Sequence, residues 1–515
     1  MIAQNPRFCY SESMETRASL PQDLRGVHIH IVGIKGTGCA ALVEILHARG
    51  AVITGSDVGE RFYTDEILER LGLRVCAFSE SNITDDIAYV IYSSAYRTDT
   101  NPDLIAAVRK QKPLLLYTEA LGALSRSVYS AGVCGVHGKT TTTGLVGTLL
   151  QSIDLPSQVL AGSVIASFGG GSAGACTMTS ASFGKRSGVR QYFVAETCEY
   201  QRHFMAFSPQ KIILTSVESD HQDYYPTYEA ILAAFVDYLC TLPEHGQVIF
   251  CADDNGAAQA VECALRRRGD IQAIPYGTTA SGEWHVTFGR VESGRQYFTV
   301  DGLGECALAV PGEHTVRNAA AAAALVTELL RTDGKNPADY AGKIKSALLS
   351  FVGGRRRSEV VGRAKTPRGE DVIVIDDYAH HPTAIATTLA GYRAFYRKHK
   401  IIVDFMSHTY TRTAALLDEF AAAFGSADMV IINKIYGSAR EQAGRTSVTG
   451  VLLAERTKEH TPCTVYAGEF DQAARVVLDA LSEPSGAADG YLFVTMGAGD
   501  NWNVGTQVLA ALSAR

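Results

Sequence analysis

The stretch Gly135-Val136-His137-Gly138-Lys139-Thr140-Thr141 decides the fold, because it joins a predicted apolar strand at residues 128–133 to a predicted helix at residues 142–150. Its glycines let backbone N–H groups surround phosphate oxygens at a helix N-terminus, where the helix dipole also favours negative charge. Lys139 would reach the β- and γ-phosphates of a nucleotide, and the Thr140 hydroxyl would bind Mg²⁺. The stretch therefore predicts a nucleotide-phosphate site. An ordinary glycine turn is the alternative, since the spacing departs from the common GxxxxGK[ST] form.

Acidic and imidazole side chains follow the next two predicted buried strands. Carboxylates and imidazoles at strand ends beside a phosphate loop are placed to hold a metal that bridges phosphates. Taken singly, each of these residues is typical of a solvated loop, and only their convergence indicates a site. They are Glu196 after residues 192–195, and Glu218, Asp220, His221 and Asp223 after residues 212–217.

A second glycine turn, with glycines at Gly33, Gly36 and Gly38, lies between the first predicted strand and helix. Its order is GxxGxG, whereas the dinucleotide fingerprint is GxGxxG, although Asp57 stands at nearly the expected distance for a ribose contact. The turn is therefore weak evidence for NAD and disfavours a dehydrogenase. It suits a diphosphate bound at a helix N-terminus.

Strand and helix patterns alternate along the whole chain, which predicts an α/β fold built on parallel sheets. Strand-turn-helix series restart twice, so we expect three domains. These are a Rossmann-like N-terminal domain at residues 25–127, a central P-loop ATPase-type domain at 128–350, and a C-terminal Rossmann-like domain at 351–515. Residues 1–24 are predicted to form a loose tail, and the Gly/Ser-rich residues 169–188 are predicted to form a mobile loop.

Composition narrows the class of protein. The chain has 515 residues with 46% hydrophobic and 20% charged positions, which is typical of soluble globular proteins. Its net charge of -7 disfavours nucleic acid as the main partner. The 11 cysteines include no CxxC pair, which favours reduced thiols in a cytoplasm. No apolar run is long enough to cross a membrane, so we expect no membrane partner. The sequence does not indicate an oligomeric state.

Two further polar clusters, at residues 376–382 and 408–413, each follow a predicted strand of the third domain. In open α/β sheets such carboxyl-end clusters mark the crevice where ligands bind. Adjacent His380 and His381 would point in opposite directions if the chain is extended, so a metal shared by the two is not expected.

With these motifs in order, the chain resembles the Mur ligase family from about Val27 to its C-terminus. The motifs that carry the resemblance are GIKGTG with GSD, Ser93-Ser94-Ala95, GxHGKTTT, Glu196-Thr-Cys-Glu199-Tyr200, Glu218-Ser-Asp220-His221-Gln-Asp223, Pro311-Gly-Glu-His314-Thr-Val-Arg-Asn318, residues 351–357, DDYAHHPT, HTYTRT, residues 435–441, and Gly497-Ala-Gly499-Asp500.

The resemblance implies an ATP- and Mg²⁺-dependent ligase that joins L-alanine to UDP-N-acetylmuramate in the bacterial cytoplasm. The first domain would bind UDP-N-acetylmuramate, the second ATP, and the third would close over both. Carried over residue by residue, the implied catalytic groups are Lys139, Glu196, His221, His380 and Arg412. The implied metal ligands are Thr140, Glu196 and His221. The implied ATP contacts are residues 135–141, His314, Asn318, Arg356 and Asp377. The implied substrate contacts are Gly33, Gly36, Gly38, Asp57, Ser93, Ser94 and Tyr378.

Some positions depart from the family pattern. Val136 replaces the usual Thr of the phosphate loop, and Thr197 and Cys198 replace the usual Ala-Asp of the acidic motif. Two alternatives remain open. One is a recycling ligase that attaches a tripeptide to the same carrier, which the compact segment 204–209 disfavours. The other is a nucleotide-dependent binding protein without ligase chemistry, which the DDYAHHP and HTYTRT motifs disfavour.

Overall fold

Each of the two glycine turns lies where a buried parallel strand meets a helix, and each belongs to a separate α/β domain. The computed structural model describes residues 20–21, 23–169, 172–176, 190–437 and 447–514. Within these ranges the chain forms sheets of five, seven, three and six strands. The expected three-domain α/β architecture is confirmed.

The first domain alternates strands and helices in the order β1 (His28–Val32), α1 (Thr37–Ala48), β2 (Val52–Ser56), α2 (Asp65–Arg70), β3 (Val75–Cys76), β4 (Tyr89–Tyr92), α3 (Pro102–Arg109), β5 (Leu114–Leu116) and α4 (Tyr117–Ser127). The strands are parallel, in the spatial order β3-β2-β1-β4-β5. Because β1 is central, its Ile29 and Ile31 side chains are fully buried.

The predicted N-terminal tail is shorter than expected. Leu20 and Leu24 are buried and pack in the same hydrophobic cluster as β1 and α1. Burying such a side chain contributes about 1.5–3 kcal/mol, enough to hold the segment against the domain. The last residues of the predicted tail therefore belong to the first domain, while residues 1–19 lie outside the described residues.

The central domain contains two sheets. Its elements are β6 (Tyr129–Cys134), α5 (Lys139–Ser152), β7 (Ser157–Leu160), β8 (Gly174–Cys176), β9 (Tyr192–Glu196), β10 (Lys211–Leu214), α6 (Tyr228–Leu239), β11 (Gln247–Cys251), α7 (Asn255–Arg267), β12 (Gln272–Tyr276), β13 (Val286–Glu292), β14 (Arg295–Val300), β15 (Gly304–Leu308), α8 (Glu313–Thr332) and α9 (Ala341–Ser350). The main sheet has the order β12-β11-β10-β6-β9-β7-β8, and β13, β14 and β15 form a separate antiparallel sheet.

Two features of this domain differ from the expected run of parallel strands. The antiparallel sheet β13-β14-β15 was not predicted, and β8 pairs antiparallel to β7 inside the stretch predicted as a mobile loop. The remainder of that stretch, residues 170–171 and 177–188, lies outside the described residues. The alanine run of α8, at residues 319–324, is buried throughout, because this helix packs in the hydrophobic core between α5 and the sheets.

The C-terminal domain is a six-stranded sheet with helices on both faces. Its elements are β16 (Glu359–Lys365), β17 (Asp371–Asp377), α10 (Pro382–Phe395), β18 (Lys400–Met406), α11 (Tyr410–Ala415), α12 (Leu417–Ala422), β19 (Met429–Ile432), α13 (Gly450–His460), β20 (Thr464–Tyr466), α14 (Phe470–Ser482), β21 (Tyr491–Gly497) and α15 (Trp502–Ser513). The order is β16-β17-β21-β18-β19-β20, with only β16 antiparallel.

Polar contacts join the domains. The buried Arg49 of the first domain donates from Nε to Gln158 Oε1 of the central domain at 2.7 Å. The Arg355 guanidinium stacks 4.6 Å from the ring centroid of Tyr63, which ties the start of the third domain to the first. Across the part of the chain that is described, no helix is long and apolar enough to span a membrane.

A carboxyl group is buried in the middle of the C-terminal sheet. Asp404, on β18, is fully buried and accepts hydrogen bonds from Asn433 Nδ2 at 2.9 Å and Asn501 Nδ2 at 3.0 Å. Burial raises the pKa of Asp404 to about 7, and the two amides offset that effect only in part. Folded Asp404 therefore keeps its proton at pH values where the unfolded chain releases it.

Asp404 is expected to make the fold less stable as the pH rises. Between about pH 4 and pH 7 the folded state holds a proton that the unfolded state has lost, so stability falls by up to ~1.4 kcal/mol per pH unit. Asp404→Asn, which cannot titrate, should gain about 2 kcal/mol relative to wild type between pH 5 and pH 7. Urea unfolding at both pH values measures the difference, and an equal difference at the two would contradict the buried titration.

Candidate active site

A cavity of about 560 Å³ lies between the central and C-terminal domains. Strands β6, β9 and β10 end at one side of it, and β17 ends at the other. Most of the predicted ATP and metal residues line this one space. Its lining includes Val136, His137, Gly138, Lys139, Thr140, Thr141, Glu196, Glu199, Glu218, Asp220, His221, Asp253, His314, Arg317, Asn318, Arg357, Asp377, Tyr378 and His380.

The phosphate loop is held rigidly between β6 and α5. Gly138 has a φ of 81°, and a Cβ there would lie 2.8 Å from Asn318 Oδ1, so only glycine fits this position. The backbone N–H of His137 donates to Ser216 Oγ at 2.9 Å, which fixes the loop against the residues that follow β10. Helix α5 begins at Lys139, so its free N–H groups face the cavity as an anion site requires.

Lys139 forms an ion pair with the buried carboxylate of Glu199. Its Nζ donates to Glu199 Oε2 at 2.8 Å, and the other oxygen of Glu199 lies 3.2 Å from His221 Nε2. Burial by itself would lower the pKa of Lys139, but Glu199 outweighs it and the net pKa is raised. Burial by itself would raise the pKa of Glu199, but Lys139 and His221 outweigh burial, so the net shift of this pKa is downward. Both groups are therefore charged at neutral pH.

Glu199 is a site residue that the sequence reasoning did not select. It is 2% exposed, and Tyr225 donates to its backbone carbonyl at 2.6 Å. A signal was present, because Glu199 stands three residues after Glu196 in a motif that follows a buried strand. The sequence could not show that the two carboxylates have different partners. Glu196 contacts Thr140, and Glu199 contacts Lys139.

The predicted metal ligands fall into two groups. Thr140 Oγ1 donates to Glu196 Oε2 at 2.8 Å, and the same oxygen accepts from the backbone N–H of Gly162. Hydroxyl and carboxylate oxygens are the donors that Mg²⁺ prefers, so this pair fits the ion. His221 lines the same cavity but is paired with Glu199 rather than with Glu196.

The adenine-side prediction places His314 and Asn318 at the start of α8, and both line the cavity. Burial lowers the pKa of His314 to about 4, so its ring is neutral. The structure adds an ion pair that the sequence reasoning did not find, between Arg317 Nε and Asp253 Oδ2 at 2.5 Å. This pair also lines the cavity and closes its far end.

Arg356 differs from its expected place at the phosphates. Its Nε donates to Asp376 Oδ2 at 2.8 Å and its Nη2 donates to the Gly497 carbonyl at 2.8 Å. These bonds hold the guanidinium against the end of the C-terminal sheet, while the neighbouring Arg357 lines the cavity. Arg357, for which the sequence predicts no role, therefore lines the cavity in place of Arg356, because residues 354–357 form a tight turn in which Arg356 has a φ of 56°.

The end of β17 brings three predicted residues to the cavity. Asp377 Oδ2 accepts from the Ser358 backbone N–H at 2.8 Å, and Tyr378 lies against the Arg357 guanidinium at 4.8 Å. His380 Nδ1 lies 2.8 Å from the Tyr378 carbonyl oxygen. Burial lowers the pKa of His380 well below its ordinary value. A carbonyl only accepts, so Nδ1 carries the proton and Nε2 of this neutral ring has a lone pair.

Arg412, which the resemblance implies to be catalytic, forms an ion pair between the central and C-terminal domains. Its Nη2 donates to Asp220 Oδ1 at 2.7 Å and its Nη1 donates to the His408 carbonyl at 2.9 Å. Both charged side chains are less than a tenth exposed. Burial raises the pKa of Asp220, but Arg412 outweighs it and holds the net pKa well below the usual value. Arg412 thus fixes the C-terminal domain to the residues that follow β10.

The predicted substrate residues of the first domain lie along one sheet edge. Gly33, Asp57 and Ser93 follow β1, β2 and β4, which are neighbours in the sheet, and Ser94 follows Ser93. Gly36 and Gly38 flank the first residue of α1. Asp57 accepts from the Lys35 backbone N–H at 2.7 Å and from Tyr96 Oη at 2.8 Å, so it holds the glycine turn in shape.

A second, smaller cavity connects the first domain to this site. It has a volume of about 160 Å³, and its lining includes Tyr117 and Leu121 of the first domain. Glu196 and Cys198 line both cavities. A ligand bound at the first-domain turn could therefore extend toward the phosphate loop.

Comparison with protein families accounts for all three domains. The Mur ligase family catalytic domain matches residues 28–129, the Mur ligase middle domain matches residues 133–326, and the Mur ligase glutamate ligase domain matches residues 356–499. The chain belongs to the Mur ligase family. The resemblance drawn from the motifs is confirmed.

Curated members of this family match along nearly their whole length. The UDP-N-acetylmuramate--L-alanine ligase of Treponema pallidum is 44% identical over 492 residues, covering 95% of this chain and 97% of that protein. The ligase of the same name from Borreliella burgdorferi is 35% identical over 479 residues, covering 92% and 97%.

A crystal structure of the UDP-N-acetylmuramate-alanine ligase of Thermotoga maritima has a TM-score of 0.71 and 24% identity, covering 95% of this chain and 99% of that one. A murein peptide ligase from Psychrobacter arcticus has a TM-score of 0.61 and 21% identity, covering 95% and 99%. At these identities the two structures establish the Mur ligase fold.

Proposed function

We propose that this chain is an ADP-forming enzyme that ligates L-alanine to UDP-N-acetylmuramate in peptidoglycan precursor synthesis. The observation that carries the proposal is the phosphate loop with its buried Lys139–Glu199 pair, facing a cavity that the C-terminal domain closes. It stands in a chain 44% identical, over 95% of its length, to a protein named for that reaction. ATP is the co-substrate.

The chemistry explains why such a reaction needs ATP. A carboxylate is a poor acyl donor because its charge repels nucleophiles and its leaving group would be oxide. The lactyl carboxylate of the sugar nucleotide attacks the γ-phosphorus in line, the bond to the β-γ bridging oxygen breaks, and ADP leaves. The resulting acyl phosphate then has phosphate as a good leaving group for amide formation.

Lys139 and the loop N–H groups supply the positive charge for the first step. The ammonium of Lys139 stabilises the negative charge that develops on the transferring phosphoryl oxygens. Glu199 holds Lys139 in place and keeps it protonated. Mg²⁺, held by Thr140 and Glu196, would neutralise phosphate charge and orient the phosphates.

His380 is suited to the second step. Alanine attacks as a neutral amine, and its ammonium form must first lose a proton. The neutral ring of His380 has its Nε2 lone pair available, because Nδ1 donates to the Tyr378 carbonyl. His380 can therefore accept that proton beside the acyl phosphate. The amine adds to the acyl carbon, and the tetrahedral intermediate collapses to amide and phosphate.

The interface between the central and C-terminal domains excludes water from the site. Water would hydrolyse the acyl phosphate, so the site must be closed while the intermediate exists. The buried Arg412–Asp220 pair links the two domains next to His380. We place Arg412 as a positioning residue, since its guanidinium is bound by Asp220 rather than directed to substrate.

The carrier is proposed to bind along the first-domain edge at Gly33, Gly36, Gly38, Asp57, Ser93 and Ser94. The α1 N-terminus there is suited to the diphosphate. The smaller cavity shared by the first and central domains, with Glu196 on its wall, supports a path for the lactyl carboxylate to the γ-phosphate. We also propose a cytoplasmic location, where the nucleotide substrates are found.

Phosphate release tests the proposal directly. We expect release only when ATP, UDP-N-acetylmuramate, L-alanine and Mg²⁺ are all present, with each omitted in turn. Oxygen-18 in the substrate carboxylate should appear in the released phosphate, because that oxygen bridges carbon and phosphorus in the acyl phosphate. Release without isotope transfer would contradict the acyl-phosphate route, and ATP binding without any release would leave only a binding protein.

A competition assay separates the two ligase alternatives. Offered L-alanine and the tripeptide L-Ala-γ-D-Glu-meso-diaminopimelate at equal concentration, the enzyme is expected to form the single-residue product. The compact segment at residues 204–209, after the acidic motif, supports the single amino acid as acceptor. Preferential tripeptide ligation, read by mass spectrometry, would establish the recycling activity instead.

A further inference from the structure

Three side chains outside the proposed Mg²⁺ site converge between the central and C-terminal domains. They are His137 of the phosphate loop, Glu218 after β10, and His381 at the start of α10. One ligand atom from each residue lies within 4.8 Å of the other two. His137 Nε2 contacts Glu218 Oε1, and His381 Nδ1 lies 3.6 Å from the same oxygen. The His137 and His381 rings are 5.2 Å apart.

The cluster leaves buried polar atoms without hydrogen bonds. The His381 side chain is 7% exposed, and neither of its ring nitrogens has a hydrogen-bond partner among the described residues. His137 Nε2 and Glu218 Oε1 are also buried, and they lie against each other. Buried polar groups in folded proteins are almost always satisfied, so the two unpartnered ring nitrogens of His381, beside this pair, call for a ligand.

We propose that His137, Glu218 and His381 form a binding site for a transition-metal ion of the Zn²⁺ class, separate from the Mg²⁺ of ATP. Two imidazoles and one carboxylate, with a fourth position open to the cavity, are a known donor set for Zn²⁺. Ligand atoms around a tetrahedral ion at 2.0–2.1 Å are separated by about 3.3 Å. The ligand atoms lie within 4.8 Å of one another, so rotations of the side chains bring them to that spacing.

The donor chemistry selects the ion. Imidazole nitrogen suits Zn²⁺, Co²⁺ and Ni²⁺, whereas Mg²⁺ takes oxygen ligands, so excess Mg²⁺ should not fill this site. Burial lowers the pKa of His381, which keeps its ring neutral and able to bind a metal. Thr383 Oγ1 donates to Glu218 Oε2 at 3.0 Å and orients the carboxylate, as groups around metal ligands commonly do.

The three ligands come from two domains, so a bound ion would link those domains. His137 and Glu218 belong to the central domain, and His381 belongs to the C-terminal domain. An ion bound to all three joins the domains beside the phosphate loop. It should therefore stabilise the closed arrangement in the absence of nucleotide.

Co²⁺ binding to the tag-free full-length protein tests this site. With Mg²⁺ in excess, we expect one Co²⁺ per chain with the visible absorption of a four-coordinate ion. His381→Gln and Glu218→Gln should each weaken binding by roughly 100-fold or more, since each removes a direct ligand. Circular dichroism verifies the fold of both, and either variant alone decides the question if the other does not fold.

Two control variants make the result specific. His245→Gln removes an exposed histidine and should leave Co²⁺ affinity unchanged. His221→Gln removes a predicted ligand of the ATP-linked metal and should also retain the Co²⁺ spectrum. Absence of Co²⁺ binding by the wild type, equal binding by His381→Gln, or loss of the spectrum in His221→Gln would each overturn the proposal. Because no ATP or sugar substrate is present, the outcome is independent of ligase activity.

Discussion

Lys139→Ala is expected to lower turnover by roughly 10²-fold or more while ATP still binds. Removal of one charged donor from a water-excluded site lowers turnover by about that factor, because the charge of the donor acts mainly on the transition state. The loop N–H groups remain and continue to hold the phosphates. Phosphate release at saturating substrates measures turnover, and exposed Lys343→Ala on α9 is the matched control, expected to be unaffected.

The same substitution affects stability, and this effect can be separated from catalysis. Lys139→Ala leaves the buried Glu199 without its ammonium partner, and an uncompensated buried carboxylate is strongly destabilising. The double variant Lys139→Ala/Glu199→Gln should regain thermal stability but not turnover. Near-normal turnover in a folded Lys139→Ala variant would remove this residue from the mechanism.

The sequence predicts the parallel parts of the fold well, and the reason is physical. Buried parallel strands are continuous apolar runs, and the strand predicted at residues 192–195 is observed at Tyr192–Glu196. The antiparallel sheet β13-β14-β15 was missed. Its strand β13 exposes much of its length and mixes polar with apolar residues, so periodicity alone does not mark it.

The sequence predicts those parts of the site that lie within a single motif. The phosphate loop, Glu196 and His380 were found because each follows a strand end. The partners of these residues lie far away in sequence, as in the Arg412–Asp220 and Arg317–Asp253 pairs, and no spacing rule connects them. Arg357 lines the cavity in place of the expected Arg356 because of the turn at residues 354–357, and a motif does not specify that turn.

Glu196→Gln is expected to lower turnover by roughly 10²- to 10³-fold and to raise the Mg²⁺ concentration needed for half-maximal rate. Loss of a carboxylate ligand weakens the binding of the Mg²⁺ ion. The charge of that ion stabilises the transferring phosphoryl group by several kcal/mol. The amide preserves the local structure. Thr140 Oγ1 and the Gly162 N–H both donate to Glu196 Oε2, and an amide oxygen can accept both bonds.

A Mg²⁺ titration of phosphate release separates this role from a purely structural one. If Glu196 only fixed Thr140, the glutamine variant would keep the wild-type Mg²⁺ dependence, because those hydrogen bonds survive. If Glu196 binds the ion, the half-maximal Mg²⁺ concentration rises and excess Mg²⁺ recovers part of the rate. Glu229→Gln, an exposed carboxylate in the first turn of α6, controls for the loss of one negative charge and should leave the titration unchanged.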